Sequence, residues 1–296
     1  MIGTDFVIFS GFKNGYTMAT TETYALDMSD SIARWRRMDD MPFPQGLTHL
    51  GIAVNGMKAY LCGGYVGDSL GTHAGNCFIY DHSKPVGSTQ QWTSFAPLPN
   101  GGRSGGGMIY DSTMKAIVYA AGSQRPIAGE HSAIDYTDTW MYSLSNSRAG
   151  WVSKTNIPFR GNHMNFVTAF DSTGKERHYF FGGQRADDEE TENTATMYEY
   201  VAITDQWIRR ASMPFTRGHS AAASRAIGCG FVVAGGRTNN GLTNEITYYN
   251  IPTNTWRSIG TLPVEIHTNV CVVYGGMLRC ETGWAEGSFT AQRPLN

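Results

Sequence analysis

Charge is what this sequence lacks most. Only 16% of its 296 residues are Asp, Glu, Lys or Arg, where about 25% is usual in soluble domains. Glu, Lys and Arg furnish the solvated faces of helices, so their scarcity excludes a mainly helical protein. The net charge is −2. Without a basic excess to displace counterions from phosphates, nucleic acid is not expected as a partner. No run approaches the roughly 18 apolar residues of a membrane helix, and a membrane is not expected as a partner either. The opening Met1-Ile2-Gly3-Thr4-Asp5 lacks the basic and apolar stretches of a signal peptide. Five cysteines (Cys62, Cys77, Cys229, Cys271 and Cys280) are too few for a disulfide-built scaffold, and none shows the CxxC spacing of a zinc site. No asparagine has Ser or Thr two positions on, so glycosylation acceptors are missing and the expected setting leans intracellular.

What is abundant is glycine, at 35 residues, beside 41% hydrophobic and 12% aromatic residues. Such a chain can bury a large core, and its glycines favour turns over helix interiors. The glycines recur in order. Runs of β-formers end in a Gly doublet or a close relative at Phe6–Gly11, Ala59–Gly64, Ile117–Gly122, Tyr179–Gly183 and Phe231–Gly236, with a weaker copy over 277–283. Aromatic strands follow at Tyr24, Tyr80, Tyr142, Tyr198 with Tyr200, and Tyr248 with Tyr249. Then come Trp35, Trp92, Trp151, Trp207 and Trp256, each followed by a proline at 42, 99, 158, 214 or 263. Trp284 lies outside that series.

A glycine doublet closing a strand, then Tyr, then Trp, at a period near 50 residues, resembles the kelch repeat of the galactose oxidase central-domain superfamily, in a divergent form. The resemblance covers essentially the whole chain. It implies an all-β fold: a β-propeller of four-stranded antiparallel blades, six by the copies of the glycine strand, forming a single domain over 1–296 or a trimmed part of a longer protein. A sheet apolar on both faces is stable only when stacked between neighbours, which is what repeated aromatics and Gly-rich turns supply.

Counting strands 1 to 4 outward from the channel, the loops from strand 4 to the next strand 1 and from strand 2 to strand 3 share a face. That face is the expected binding surface. It collects His49, His73, His131, His163, His219 and His267, leaving only His82 and His178 elsewhere. Arg103, Arg125, Arg160, Arg185, Arg217 and Arg237 join them. His49, His163, His219 and His267 fall at matching places in four repeats. They are either ordinary loop residues bonded to neighbouring loops, or a set converging near the axis on an anionic ligand, a sugar or a metal. No metal set and no cofactor is assigned. Glu130 and His131 form an acid/base neighbour pair in a long loop, and Asp187 to Glu190 with Glu192 form an acidic run in another. The ligand-binding candidates are therefore His49, His73, Arg103, Glu130, His131, Arg160, His163, Arg185, Arg217, His219, Arg237 and His267.

Cys62/Cys77 and Cys271/Cys280 flank hairpins and can face each other across adjacent strands, or serve as small buried hydrophobes. The resemblance implies two functional classes. One is a module, expected to be monomeric, binding a protein, peptide or glycan at the channel mouth. The other is a sugar-directed enzyme, such as an acidic-sugar mutarotase or epimerase, or a metal-assisted one. A galactose oxidase-type copper site is poorly matched, because no Tyr-His dipeptide exists and the cysteines lie away from the His-bearing loops.

Overall fold

The computed structural model describes residues 1–13, 18–67, 72–125, 134–185, 192–281 and 290–294. Glu130, His131, Asp187 to Glu190 and Trp284 lie outside these residues. Four complete antiparallel blades follow one another. The first is built from Gly51–Asn55, Lys58–Cys62, Cys77–Asp81 and Trp92–Phe95. The second uses Gly107–Asp111, Ala116–Ala120, Thr139–Ser143 and Trp151–Lys154. The third uses Asn165–Phe170, Glu176–Phe181, Met197–Val201 and Gln206–Arg210. The fourth uses Ser224–Ile227, Gly230–Ala234, Glu245–Asn250 and Thr255–Thr261.

The expectation of six four-stranded blades is corrected to five, because the sheets at the two ends are each incomplete. The N-terminal sheet, Asp5–Lys13 with Met18–Asp27 and Arg36–Arg37, starts at its glycine-bearing strand, with no inner strand among the described residues. The C-terminal sheet, Val270–Tyr274 with Met277–Glu281 and Thr290–Pro294, has no outer strand among the described residues. Phe6 and Leu26 of the former pack with Val272 of the latter, so the two incomplete sheets meet.

Each marker residue has a mechanical role. The second strand is sandwiched on both faces, and Ala116–Ala120 and Gly230–Ala234 are buried throughout. Each strand-4 tryptophan packs and also donates its indole N–H one repeat back: Trp92 to Asp39 O, Trp151 to Ala96 O, Trp207 to Thr155 O and Trp256 to Ala211 O, all at 2.8–2.9 Å. The strand-3 tyrosines fix the following turns, Tyr200 donating to Asp205 and Tyr249 to Asn254. The second glycine of each doublet donates its N–H to the next blade's loop: Gly64 to Arg103 O, Gly122 to Gly161 O, Gly183 to Arg217 O and Gly236 to Ile266 O. At Gly63 and Gly182 this close approach leaves no room for a side chain; a Cβ on Gly63 would lie 2.3 Å from Arg103 O.

Of the two expectations for the cysteines, bridging is the one realised. Cys62 and Cys77 are register partners and disulfide-bonded, as are Cys271 and Cys280, while Cys229 is free. No helix of the described residues is long and apolar enough to cross a membrane.

Candidate functional site

The loop entering each inner strand carries, at a matching place, a residue in the left-handed backbone conformation: His49 (φ 56°), Gly105 (φ 65°), His163 (φ 48°), His219 (φ 56°) and Thr268 (φ 56°). For a non-glycine residue this conformation costs roughly 1–2 kcal/mol. It is held by hydrogen bonds that tie successive loops together: Gly105 N to His49 O at 3.0 Å, Met164 N to Gly105 O at 3.2 Å and Thr268 N to His219 O at 2.7 Å. The residue just before bridges to the segment after the glycine doublet of its own blade, as in Ser104 with Ser123, Asn162 with Gln184 and Gly218 with Arg237. The backbone thus repeats around the ring, and three of its five left-handed positions carry imidazoles.

Those imidazoles converge. His49 meets His163 edge to face at 4.8 Å between ring centroids, His163 stacks on His219 at 4.0 Å, and His219 meets His267 at 5.3 Å. His267 corrects the sequence expectation of matching places. Thr268 holds the equivalent backbone position, and His267 joins the row from one residue earlier. Tyr65 extends the row, contacting His49 at 5.0 Å and His73 at 4.3 Å. Sequence reasoning missed Tyr65; its place right after the Gly63-Gly64 doublet was the available signal.

Hydrogen bonds orient the row. His163 Nδ1 bonds Asn162 Oδ1, and Asn162 Nδ2 donates to the buried Asp135 at 2.6 Å. His49 Nδ1 pairs with Thr48 Oγ1 at 2.8 Å. His73 bridges Ser123 O through Nδ1 at 2.7 Å and accepts the Arg125 N–H at Nε2, so it joins two loops of neighbouring blades. Near-parallel stacking of His163 on His219, 26° between planes, directs their ring nitrogens along side-by-side planes and not to one point. The row is a stacking and hydrogen-bonding surface, and its geometry does not fit a single shared ion.

His219 is 8% exposed. Burial, and then its His163, His267 and His49 neighbours and Arg237, push its pKa well below 6.5. The folded state therefore binds fewer protons than the unfolded one below that value, and stability is lost as pH falls through it. Unfolding at pH 7, 6 and 5 should show wild-type stability falling below pH 6.5 with a slope of about 1.4 kcal/mol per pH unit from this group. His219→Asn should flatten that slope, and an unchanged slope would contradict the placement.

The arginines divide into two groups. Arg103 and Arg217 stand two residues before the left-handed position and turn into the blades. Arg103, 3% exposed, pairs with Asp138 at 3.0 Å and lies 3.4 Å over the Tyr136 ring. Arg217, 1% exposed, donates to Val233 O, Thr247 Oγ1 and Glu245 O, lies over Phe215, and is lowered to about 9 by burial. Arg125 is buried against Tyr65. Arg160 stands three residues before His163 and is exposed. Arg185 is exposed, 3.8 Å from Glu192, and Arg237 is half-buried beside Gly218. Arg103, Arg125 and Arg217 therefore hold the blades together, whereas Arg160 and Arg185 reach solvent.

Repeated four-stranded sheets stacked around loops of this kind define an all-β propeller. No family model matches the chain. It is 26% identical over 246 residues to the Kelch-like protein terF of Aspergillus terreus, which covers 79% of this chain and 49% of that protein. It is 22% identical to a kelch repeat-containing protein of Arabidopsis thaliana, covering 93% of this chain and 65% of that protein. The chain thus spans between half and two thirds of these relatives. In repeat pattern and blade architecture the chain is similar to these kelch-repeat relatives.

Proposed function

We propose that the chain is an interaction module that binds a protein or peptide, with a glycan as the other ligand class, on the face bearing the imidazole row. The carrying observation is a division of labour. Arg103, Arg125 and Arg217 are consumed by blade packing, while half-buried His49 and His163 and exposed Arg160 and Arg185 keep surface open to solvent. Aromatic and imidazole rings at the centre with arginines at the rim suit a ligand with an apolar or planar anchor flanked by carboxylates.

The test is a peptide array and a glycan array probed with purified protein and its variants. Arg160→Glu with Arg185→Glu, and separately His49→Ala, should each weaken the captured ligands at least about tenfold. Arg209→Glu on an outer strand should bind like wild type. Retained binding in the face variants, or equal loss in the Arg209 control, would defeat the reading.

A further inference from the structure

The opposite side of the ring holds a second cluster that blade packing leaves electrically unbalanced. Asp111 ends the inner strand of the second blade, and Glu176 and His178 lie on the second strand of the third. His178 Nε2 is 2.9 Å from Asp111 Oδ2 and 3.8 Å from Glu176 Oε2. The three ligand-type atoms lie within 4.8 Å of one another, the only such set of three or more His, Cys, Asp or Glu among the described residues. Neither carboxylate has a Lys or Arg partner among those residues, so two carboxylates share one imidazole. Arg177, between Glu176 and His178 in sequence, turns away to Asp171 and Glu199.

We propose that Asp111, Glu176 and His178 bind one divalent transition metal of the zinc type, which staples the second and third blades together. The chemistry of the donor set fits: one imidazole nitrogen and two carboxylate oxygens are the N/O ligands zinc takes at about 2.0–2.2 Å. Bonds of that length at ordinary ligand angles separate the donors by roughly 3–3.6 Å, close to the spacing observed. Every donor is also oriented from behind, as metal ligands generally are. Thr168 Oγ1 lies 2.9 Å from His178 Nδ1, the Met114 N–H donates to Asp111 Oδ1 at 2.6 Å, and Ser112 donates to Glu176 Oε2 from N at 2.8 Å and Oγ at 2.7 Å. His178 itself is 3% exposed, while Ser112 beside Glu176 reaches solvent and provides the way in. Ligation requires the Nε2 lone pair, so the ring proton resides on Nδ1 and is donated to Thr168. Protons compete with the metal, and affinity falls with pH. The site lies away from the imidazole row and does not depend on the binding reading above.

Zinc chloride is titrated into chelator-treated protein of residues 1–296 by calorimetry at pH 7.5 and pH 5.5, with melting followed in parallel. One equivalent should bind at pH 7.5, weaken at least about tenfold at pH 5.5, and raise Tm. Glu176→Gln keeps the size of the side chain and its acceptor for Ser112, and should lower affinity at least about tenfold; Thr168→Val, which touches no metal, should do so through His178. His219→Asn tests for zinc on the imidazole row and should leave zinc affinity and stoichiometry as in wild type, whatever it does to Tm. Absent binding, or stoichiometric binding that Glu176→Gln leaves unaltered, would overturn the proposal. So would binding lost in His219→Asn alone.

Discussion

Replacing Gly182 by alanine should destabilise the protein by about 3–5 kcal/mol and lower Tm by about 10 °C. Gly182 is the first glycine of its doublet, with φ +60°. A Cβ there would lie 2.1 Å from Arg217 O, 2.7 Å from Asn165 Nδ2 and 2.8 Å from Met213 Cε. The obstructing carbonyl is backbone, and it also accepts the Gly183 N–H at 2.8 Å, so it cannot retreat without opening the seam between the third and fourth blades. Gly174→Ala is the control. That glycine also has positive φ, +78°, but nothing lies within 4 Å of its Cβ, and the cost should be about 1 kcal/mol. The second blade holds Ala121 at the corresponding place with φ 62°, so left-handed backbone alone is tolerable there. Chemical denaturation of the two variants separates the clash from the backbone preference. Equal losses would contradict the argument.

Arg217→Ala should be about as damaging, at roughly 3–5 kcal/mol. Its guanidinium lies inside the fourth blade, donating to Val233 O and Thr247 Oγ1 at 3.1 and 3.0 Å and to Glu245 O at 3.4 Å. Truncation leaves those buried acceptors without this donor and opens a cavity beside Phe215. Arg217→Lys should recover little, because one ammonium cannot reproduce a planar fork reaching several acceptors. Arg160→Ala, at an exposed arginine from the same sequence pattern, should stay within about 0.5 kcal/mol of wild type. Urea denaturation of the three variants checks this. A folded, fully stable Arg217→Ala variant would return that arginine to the ligand-binding set.

These two residues show how far the sequence was legible. The glycine doublets, tyrosines and tryptophans recur because each does a local job that every blade repeats, so strand order and the loop face could be read from spacing. The tryptophans' hydrogen bonds to the preceding blade obey the same period. A long side chain's direction has no such signature. Arg160 and Arg217 both follow a loop proline by two or three residues, yet a one-residue difference in distance from the left-handed histidine sends one to solvent and the other into a blade. The same offset separates His267 from its expected place. Blade completeness at the ends was not legible either, because missing strands leave no marker to count. Asp111 and His178 are 67 residues apart, so no local motif could join them, and His178 was set aside for lying off the loop face. Only stacked neighbouring blades bring the pair together.

The central claim, that ligands are taken on the loop face, is most directly tested by hydrogen exchange of the protein with and without a peptide selected from a random library. Protection should concentrate in residues 45–50, 160–165, 184–185 and 217–220, where the left-handed loops and the imidazole row lie. Protection confined to the outer strands Trp92–Phe95, Trp151–Lys154, Gln206–Arg210 and Thr255–Thr261, with the loop face exchanging as in the free protein, would contradict it.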